Sequence, residues 1–210
     1  MFLFLDSIVF KFVLCTIEFK GRQNNVEYNL KLTNGEHIFY HFEQIDHYIE
    51  NAVSFIVIGI KQGDHIIFIE NESISVRIFN KVRLVLTDEE LSNVHYTDNF
   101  AFYCQHGDFH TPTIVAHFYE MLKPFLDENF NIRTWAHVEW RRQLEIEQKI
   151  KQFEEIANKS VNEMGLLSVC AYDTATLSAS IMQNLMKSHE FIMTDTELQP
   201  SAYYIRTIIV

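Results

Sequence analysis

Five polar side chains of this sequence come at the ends of apolar runs that have the length of β-strands. His41 lies near the end of the first run and Glu43 follows it, Glu139 lies near the end of a later run, and Tyr172 and Asp173 close a third. In an open parallel sheet the carboxyl ends of the strands meet at one crevice, where ligands bind. We therefore expect these five side chains to line a common pocket. Carboxylates crowded there would repel one another, so at least one acidic group should have a raised pKa.

Glu139 has the position of a general base in such a pocket, although a capping or exposed carboxylate is the commoner role at a strand end. The phosphate-binding motifs GxxxxGK(S/T) and GxGxxG are missing from the sequence, and so is the nucleophile elbow GxSxG. Without a glycine-rich turn and its lysine, the chain lacks the backbone cradle and the charge that hold a nucleotide's phosphates. ATP hydrolysis by the P-loop route and the common α/β-hydrolase mechanism are thus excluded.

The histidines and cysteines form no metal-binding motif in the sequence. Of the ten histidines, His37 and His41 are four residues apart, which on a strand separates them by roughly 13 Å, too far to chelate one ion. We expect scattered polar or core-edge histidines. Cys15, Cys104 and Cys170 include no CxxC pair, which favours a reducing cytoplasm over a disulfide framework. Cys170 is expected to be an inert apolar residue rather than a reactive thiol, and no metal or other cofactor is predicted.

The chain is acidic, with 17 basic and 28 acidic residues and a formal net charge of −11. Such a chain repels phosphate backbones, so direct binding to nucleic acid is not expected. Its densest basic cluster is surrounded by carboxylates within a predicted helix, which indicates a solvated face of mixed charge. The basic residues are Arg141, Arg142, Lys149 and Lys151, and the acidic ones are Glu145, Glu147, Glu154 and Glu155.

Hydrophobic periodicity predicts strands that alternate with helices from residue 35 onward. Strands are expected at 37–42, 65–70, 94–97, 132–140, 166–172 and 191–194. Helices are expected at 44–60, 72–86, 144–164 and 174–188, with another that begins at Thr111-Pro112. Glu70 ends the second strand and is a further candidate for the pocket. The alternation indicates βαβ units with right-handed crossovers, and the predicted fold is one three-layer α/β domain, a mainly parallel sheet with helices on both faces.

The first 34 residues differ in character from the rest, and we predict that they are an N-terminal appendage to a domain spanning 35–210. Asp6 and Lys11 interrupt the apolar run at the start, which is shorter than the about 20 residues that cross a bilayer. A secretory signal is disfavoured because no basic region precedes the run. Three interpretations stay open: a β-rich appendage, which Ile, Val and Phe favour; a membrane anchor; and a segment before the real start of translation, with Val26 as an alternative initiator.

Four segments, in order along the chain, resemble one known family. The stretch IENAVSFIVIGIKQGDHIIFIEN resembles the helix–strand segment of RecA/KaiC-like ATPase domains. Together with HIFYHFE, IRTWAHVEW and LLSVCAYD, which MKSHEFIMTD and a Tyr-Tyr pair follow, it is similar to the MEDS domain, the sensory domain of DcmR-type regulators of methylotrophs and methanogens. The resemblance covers about residues 35–204. It implies a RecA-like fold without a working P-loop, found alone or joined to helix-turn-helix, PAS or histidine-kinase modules.

The resemblance also implies a set of ligand-binding residues. The family's first histidine falls on His37 or His41, its strand-end acid on Glu139, its cysteine–tyrosine–aspartate segment on Cys170, Tyr172 and Asp173, and its late histidine on His189. The sequence departs from the family at two places, since Asp64 replaces the more usual glutamate and Glu190 stands where a proline is common. Both departures leave the ligand assignment open.

Two hypotheses about function follow. In the first, the chain is a non-catalytic sensor: an unidentified small-molecule ligand occupies the vestigial nucleotide cleft, and the output passes through a regulatory protein partner, a transcription factor or a histidine kinase. In the second, it is a hydrolytic or metal-dependent enzyme that uses Glu139 and Asp173. The missing phosphate loop and the resemblance favour the first. We expect a prokaryotic, cytoplasmic protein that binds neither nucleic acid nor membranes. The oligomeric state stays open, with a homodimer as one alternative.

Overall fold

The computed structural model describes residues 22–23, 26–27, 35–105 and 107–204. Most of the predicted appendage lies outside these residues. The described part of it forms two short strands, β1 (Arg22–Gln23) and β2 (Val26–Glu27), which pair with each other in antiparallel fashion. The boundary at residue 34 stays a prediction. Among the described residues, no helix combines the length and the apolar character that crossing a membrane requires.

A seven-stranded sheet forms the centre of the fold. Its strands are β3 (Glu36–Phe42), β4 (His65–Glu70), β5 (Val94–Asp98), β6 (Ile132–His137), β7 (Leu167–Asp173), β8 (Phe191–Met193) and β9 (Leu198–Pro200). Their spatial order is β5-β4-β6-β7-β3-β8-β9, and every neighbouring pair is parallel except β8 with β9. The predicted, mainly parallel sheet is confirmed. The antiparallel edge strand β9 was not predicted from the sequence.

Helices cover both faces of this sheet. They are α1 (Ile45–Lys61), α2 (Glu72–Val82), α3 (Asp88–Leu91), α4 (Asn99–Tyr103), α5 (Thr111–Asp127), α6 (Ile146–Met164) and α7 (Ala179–Ser188). The α1 and α2 helices pack on what we call the first face, around Phe68 and Trp135. The α4–α7 helices pack on the second face, around Phe39 and Phe153. The predicted three-layer architecture is therefore confirmed.

Two predicted helices begin later than the sequence suggested, each for a local reason. The stretch 174–188 is divided, because Ser178 begins α7 by accepting a hydrogen bond of 3.2 Å from the backbone N–H of Ile181. The helix predicted from residue 144 begins only at Ile146, because Glu145 has a φ of 59°, which is left-handed. These polar caps and turns set the ends of the helices without changing the topology.

A buried ion pair holds the turn between α1 and β4 against the sheet. Asp64, which is 6% exposed, accepts a hydrogen bond from Nε of Arg133 in β6, which is 5% exposed. Gln62 accepts a second hydrogen bond from the same guanidinium group. Gly59 allows α1 to approach closely, since a Cβ atom there would lie 2.5 Å from Cδ1 of Ile66. Charge and close packing together fix α1 against β4 and β6.

Candidate functional site

A crevice opens at the carboxyl edge of the sheet, at the ends of β3, β4, β6 and β7. Its cavity has a volume of about 200 Å³. Its lining combines apolar and aromatic side chains with polar ones, which are Asn71, His137, Glu139, Asp173 and Thr176. Pockets for drug-sized ligands typically have about 300–1,000 Å³, so this crevice fits a smaller molecule.

A network of buried, hydrogen-bonded side chains lies beneath the crevice on the first face. Glu70 is fully buried and accepts hydrogen bonds from the Tyr48 hydroxyl and, at 2.6 Å, from Nδ1 of His137. The Tyr48 hydroxyl in turn accepts a hydrogen bond of 2.9 Å from Nε1 of Trp135. Because each member is held by the next, the network fixes the ring of His137 where it lines the crevice.

Two side-chain amides orient Glu139 at the crevice. Its Oε2 atom accepts hydrogen bonds from Nδ2 of Asn99 at 2.6 Å and from Nδ2 of Asn71 at 3.2 Å. Asn99 is fully buried and also donates to the backbone carbonyl of His137 at 3.1 Å. Since 32% of the Glu139 side chain remains exposed, this carboxylate is both positioned by the protein and accessible to a ligand.

Asp173 reaches the crevice from the end of β7 and also caps the turn that follows. Its Oδ1 atom accepts a hydrogen bond of 2.8 Å from the backbone N–H of Ala175. The adjacent Thr174 hydroxyl donates to the backbone carbonyl of Phe42 at 2.8 Å. The turn at residues 174–176 is thereby tied to the end of β3 and to a carboxylate that lines the crevice.

We predict that His137 binds a proton more readily than an ordinary histidine. Burial alone would lower its pKa, but the hydrogen bond and charge of Glu70, together with the charges of Glu139 and Asp173, raise that pKa above 6.5. An NMR titration of the imidazole should therefore give a midpoint above 6.5. Glu70→Gln keeps the shape of the partner but removes its charge, so the midpoint should be lower in that variant.

The same pKa shift predicts a pH dependence of stability. Because the folded-state pKa of His137 is raised, its contribution is complete below the unfolded-state pKa of about 6.5 and is lost as the pH rises through the folded-state value. The difference in unfolding free energy between the wild type and Glu70→Gln should thus be larger in mildly acidic than in mildly alkaline buffer. An equal titration midpoint in the two proteins would contradict the pairing.

Three of the five side chains expected at the crevice lie elsewhere. His41 and Tyr172 lie on the second face, where the buried Tyr172 hydroxyl donates to the carboxylate of Glu154. Glu43 is exposed, and its backbone N–H donates to Asp195. The prediction of one shared pocket is therefore wrong for these three residues and correct for Glu139 and Asp173. Successive side chains of a strand point to opposite faces, so residues that end neighbouring strands share an edge without sharing a crevice.

A carboxylate of the chain itself lies at the N-terminus of α1. Asp195, in the turn between β8 and β9, accepts hydrogen bonds from the backbone N–H groups of Gln44 at 2.9 Å and Glu43 at 3.2 Å. It also accepts one from the Tyr40 hydroxyl at 3.0 Å. A helix N-terminus is a common phosphate-binding position, and Asp195 puts a negative charge there. This end of α1 therefore disfavours a phosphate, in agreement with the missing P-loop.

A second group of polar side chains is buried on the second face, and we call it the buried cluster. It consists of His37 from β3, Glu154 from α6, Cys170 from β7 and His189 after α7, each at most 4% exposed. The two imidazole rings stack with their centroids 3.9 Å apart. Nε2 of His37 lies 3.2 Å from Sγ of Cys170. One ligand-type atom from each of the four residues lies within 4.8 Å of all the others.

The buried cluster differs from two expectations drawn from the sequence. His37 and His189 are not scattered, since their rings touch each other. Glu154 is not on a solvated helix face, since none of its surface is exposed. The signal for its burial was present, because Glu154 follows Ile150 by four residues and precedes Ala157 by three, within the apolar stripe of the helix. The charge of the side chain, rather than its spacing, led to the wrong interpretation.

Burial sets the protonation of the groups in this cluster. Burial lowers the pKa of His37, and electrostatic repulsion between its protonated form and the nearby His189 ring lowers it further, so this imidazole is neutral at neutral pH. Burial and the nearby Glu154 raise the pKa of the Cys170 thiol. The same two causes raise the pKa of the Tyr172 hydroxyl. His37, Cys170 and Tyr172, which lie around Glu154, are thus held in their uncharged forms.

A comparison with models of known protein families assigns the chain to one of them. The model of the MEDS domain, the MEthanogen/methylotroph, DcmR Sensory domain, matches residues 36–190. The chain belongs to the MEDS family. The match begins with β3 and ends directly after His189, so this MEDS domain includes both the crevice and the buried cluster. A search of curated protein sequences found no match to the chain.

Solved structures that share the fold of this MEDS domain are distant in sequence. A KaiC-like protein from the archaeon Pyrococcus horikoshii has a TM-score of 0.50 and 14% identity, over 77% of this chain and 71% of that chain. A second solved structure, of an ATPase domain, has a TM-score of 0.51 and 8% identity, over 78% of this chain and 70% of that chain. At such identities the likeness concerns the fold alone. It confirms the RecA-like architecture that the sequence resemblance implied.

Proposed function

We propose that this MEDS domain is a non-catalytic sensor that binds a small ligand in the crevice and signals through a regulatory protein. The observation that carries the proposal is the crevice of about 200 Å³, in which two carboxylates and a buried imidazole converge. The imidazole and one carboxylate are held in place by buried partners before any ligand arrives, and such preorganisation lowers the cost of binding. Membership of a family of sensory domains supports the same role.

The lining of the crevice favours one class of ligand. Glu139 and Asp173 accept hydrogen bonds and repel anions, whereas Phe42 and Trp140 offer apolar contacts. Asp195 adds a further negative charge at the neighbouring N-terminus of α1. A phosphorylated ligand is therefore disfavoured. We expect a small neutral or cationic molecule that has hydrogen-bond donors at one end and an apolar portion at the other.

The output is proposed to pass to a transcription factor or a histidine kinase. The formal net charge of −11 disfavours direct contact with nucleic acid. Asp173 connects the crevice to the surface, because it lines the crevice and also caps the turn at residues 174–176. A ligand that hydrogen-bonds to Asp173 would compete with this cap and alter the start of the segment that leads to α7. That segment is the part of the surface we assign to the partner.

Mass spectrometry of small molecules that co-purify with the native protein tests the ligand-binding step. The wild type should retain a molecule whose amount falls about tenfold or more in Glu139→Gln and Asp173→Asn, since each removes one charged hydrogen-bond acceptor. Glu163→Gln is the matched control, because this half-exposed carboxylate on α6 pairs only weakly with Lys159 at 3.7 Å. Equal retention by all four proteins would contradict the proposal. ATP turnover that disappears in Glu139→Gln would instead support the enzyme hypothesis.

Two substitutions separate the two roles of Asp173. Asp173→Ala removes the cap of the turn and should lower the free energy of unfolding by about 1 kcal/mol, the usual contribution of such a cap. Asp173→Asn keeps a capping oxygen although it loses the charge, so it should lower the free energy of unfolding by less than Asp173→Ala does. Urea denaturation measures both values. A loss of several kcal/mol in both variants would mean that Asp173 is a structural residue and that its assignment to the ligand site is wrong.

A further inference from the structure

The buried cluster has the ligand atoms of a metal site at suitable separations. Nε2 of His37 lies 3.2 Å from Sγ of Cys170 and 3.6 Å from Oε2 of Glu154, and Nε2 of His189 lies 3.4 Å from the same oxygen. A tetrahedral zinc ion has bonds of about 2.0–2.3 Å, which places neighbouring ligand atoms about 3.3–3.8 Å apart. The cluster is therefore close to the size that one such ion requires.

Hydrogen bonds around the cluster leave two acceptor atoms facing each other. Nδ1 of His189 lies 2.8 Å from the carbonyl oxygen of Leu185, and a carbonyl only accepts, so Nδ1 carries the proton. In the neutral ring, Nε2 then presents a lone pair, and it points at the carboxylate of Glu154. Neither Nε2 of His189 nor Oε2 of Glu154 has a hydrogen-bond partner within the described part of the chain. A cation between them would satisfy both atoms.

The residues behind the cluster are arranged as supports for metal ligands. Histidines that bind metals usually donate their other ring N–H to a carbonyl or carboxylate, as His189 does to Leu185. The Tyr172 hydroxyl donates to Oε1 of Glu154, which orients this carboxylate and leaves Oε2 free to bind an ion. These contacts fix two of the four ligands from outside the cluster.

Charge balance favours a divalent ion in this apolar environment. A Cys170 thiolate and a Glu154 carboxylate carry two negative charges, which a divalent cation neutralises, while His37 and His189 bind as neutral imidazoles. A metal ion deprotonates a coordinating thiol outright. A mixed set of sulfur, nitrogen and oxygen atoms suits zinc rather than calcium or magnesium, which prefer oxygen.

We propose that His37, Glu154, Cys170 and His189 bind one zinc ion. With four protein ligands the site is closed, as in structural zinc sites. The ion connects β3, β7, α6 and the residue that follows α7 on the second face of the sheet. The crevice lies at the carboxyl edge and is built from first-face side chains such as His137, so the zinc site and the ligand site are tested separately.

Cobalt substitution tests the proposal on the full chain. The purified protein is stripped with a chelator and titrated with Co²⁺ alone, which should bind at one equivalent and produce a near-ultraviolet band of thiolate-to-cobalt charge transfer. Zn²⁺ should displace the cobalt and raise the melting temperature. Cys170→Ser should lose the band, whereas Cys104→Ser, at the other buried cysteine among the described residues, should keep it.

A second variant keeps the test decisive if Cys170→Ser fails to fold. Glu154→Gln preserves the size of the side chain and the contact with Tyr172, and it should weaken Zn²⁺ binding by about tenfold or more, since even residues that only support metal ligands have effects of that size. If the wild type shows neither the cobalt band nor a thermal shift with Zn²⁺, the four side chains interact only through hydrogen bonds and the proposal is wrong. A band that persists in Cys170→Ser, or unchanged Zn²⁺ affinity in Glu154→Gln, would also overturn it.

Discussion

Asp64→Ala is expected to lower the free energy of unfolding by about 3–5 kcal/mol, because it leaves a buried guanidinium group without its counter-ion. Arg133 is 5% exposed, and its Nη1 atom has no hydrogen-bond partner within the described ranges of the chain. The neutral side chain of Gln62 would still accept one hydrogen bond but would not compensate the charge. Urea denaturation at one fixed pH gives the value.

Asp46→Ala is the matched control for this prediction. It removes the same type of residue from an ion pair with Arg77 that has a length of 2.7 Å, but whose side chains are 85% and 50% exposed. Exposed pairs contribute about 0–1 kcal/mol, so this variant should be nearly as stable as the wild type. Combining Asp64→Ala with Arg133→Met should recover part of the loss, because the uncompensated charge is then gone. Equal and small effects of the two alanine substitutions would contradict the burial of Arg133.

Trp135→Ala is expected to lower the free energy of unfolding by about 3–5 kcal/mol, the range for removing a large aromatic side chain from a core. The indole is 1% exposed, and its ring centroid lies 5.2 Å from that of Phe55 and 5.6 Å from that of Tyr48. The substitution leaves a cavity on the first face and removes the hydrogen bond of 2.9 Å to the Tyr48 hydroxyl. Thermal and urea denaturation should agree on the size of the loss.

Two further variants separate packing from general effects of removing an aromatic ring. Trp135→Phe keeps a ring in the core and should cost less than Trp135→Ala, with the remaining loss due to volume and to the missing N–H donor. Tyr203→Ala removes a ring that is 58% exposed and should change stability by about 0.5 kcal/mol or less. If Trp135→Ala cost no more than Tyr203→Ala, the indole would not be part of the core that supports the crevice.

The sequence by itself determined the fold class and the edge of the sheet where the crevice lies. Apolar runs such as 65–70 alternate with helical stripes such as that of α6, and this alternation specifies parallel strands joined by helices. The apolar, β-branched residues of the strands and the helical spacing of Ile150 and Val161 are local properties that can be read along the chain. The sequence indicates Asp173 and Glu139 because each lies at the end of a predicted strand, and the ends of parallel strands must lie together.

Only the tertiary structure decided which side chains meet, because contacts depend on strand register and on the face to which each residue points. His37 and Cys170 are 133 positions apart in the sequence, and they touch because β3 and β7 are adjacent and in a register that brings them to the same face. Glu154 joins them from a helix, and His189 from the residue that precedes β8 by two. Asp195 reaches the start of α1 through an edge hairpin with no signal in the sequence of α1. A one-residue change of register would send each strand residue to the opposite face, so no pattern within one segment could fix these contacts.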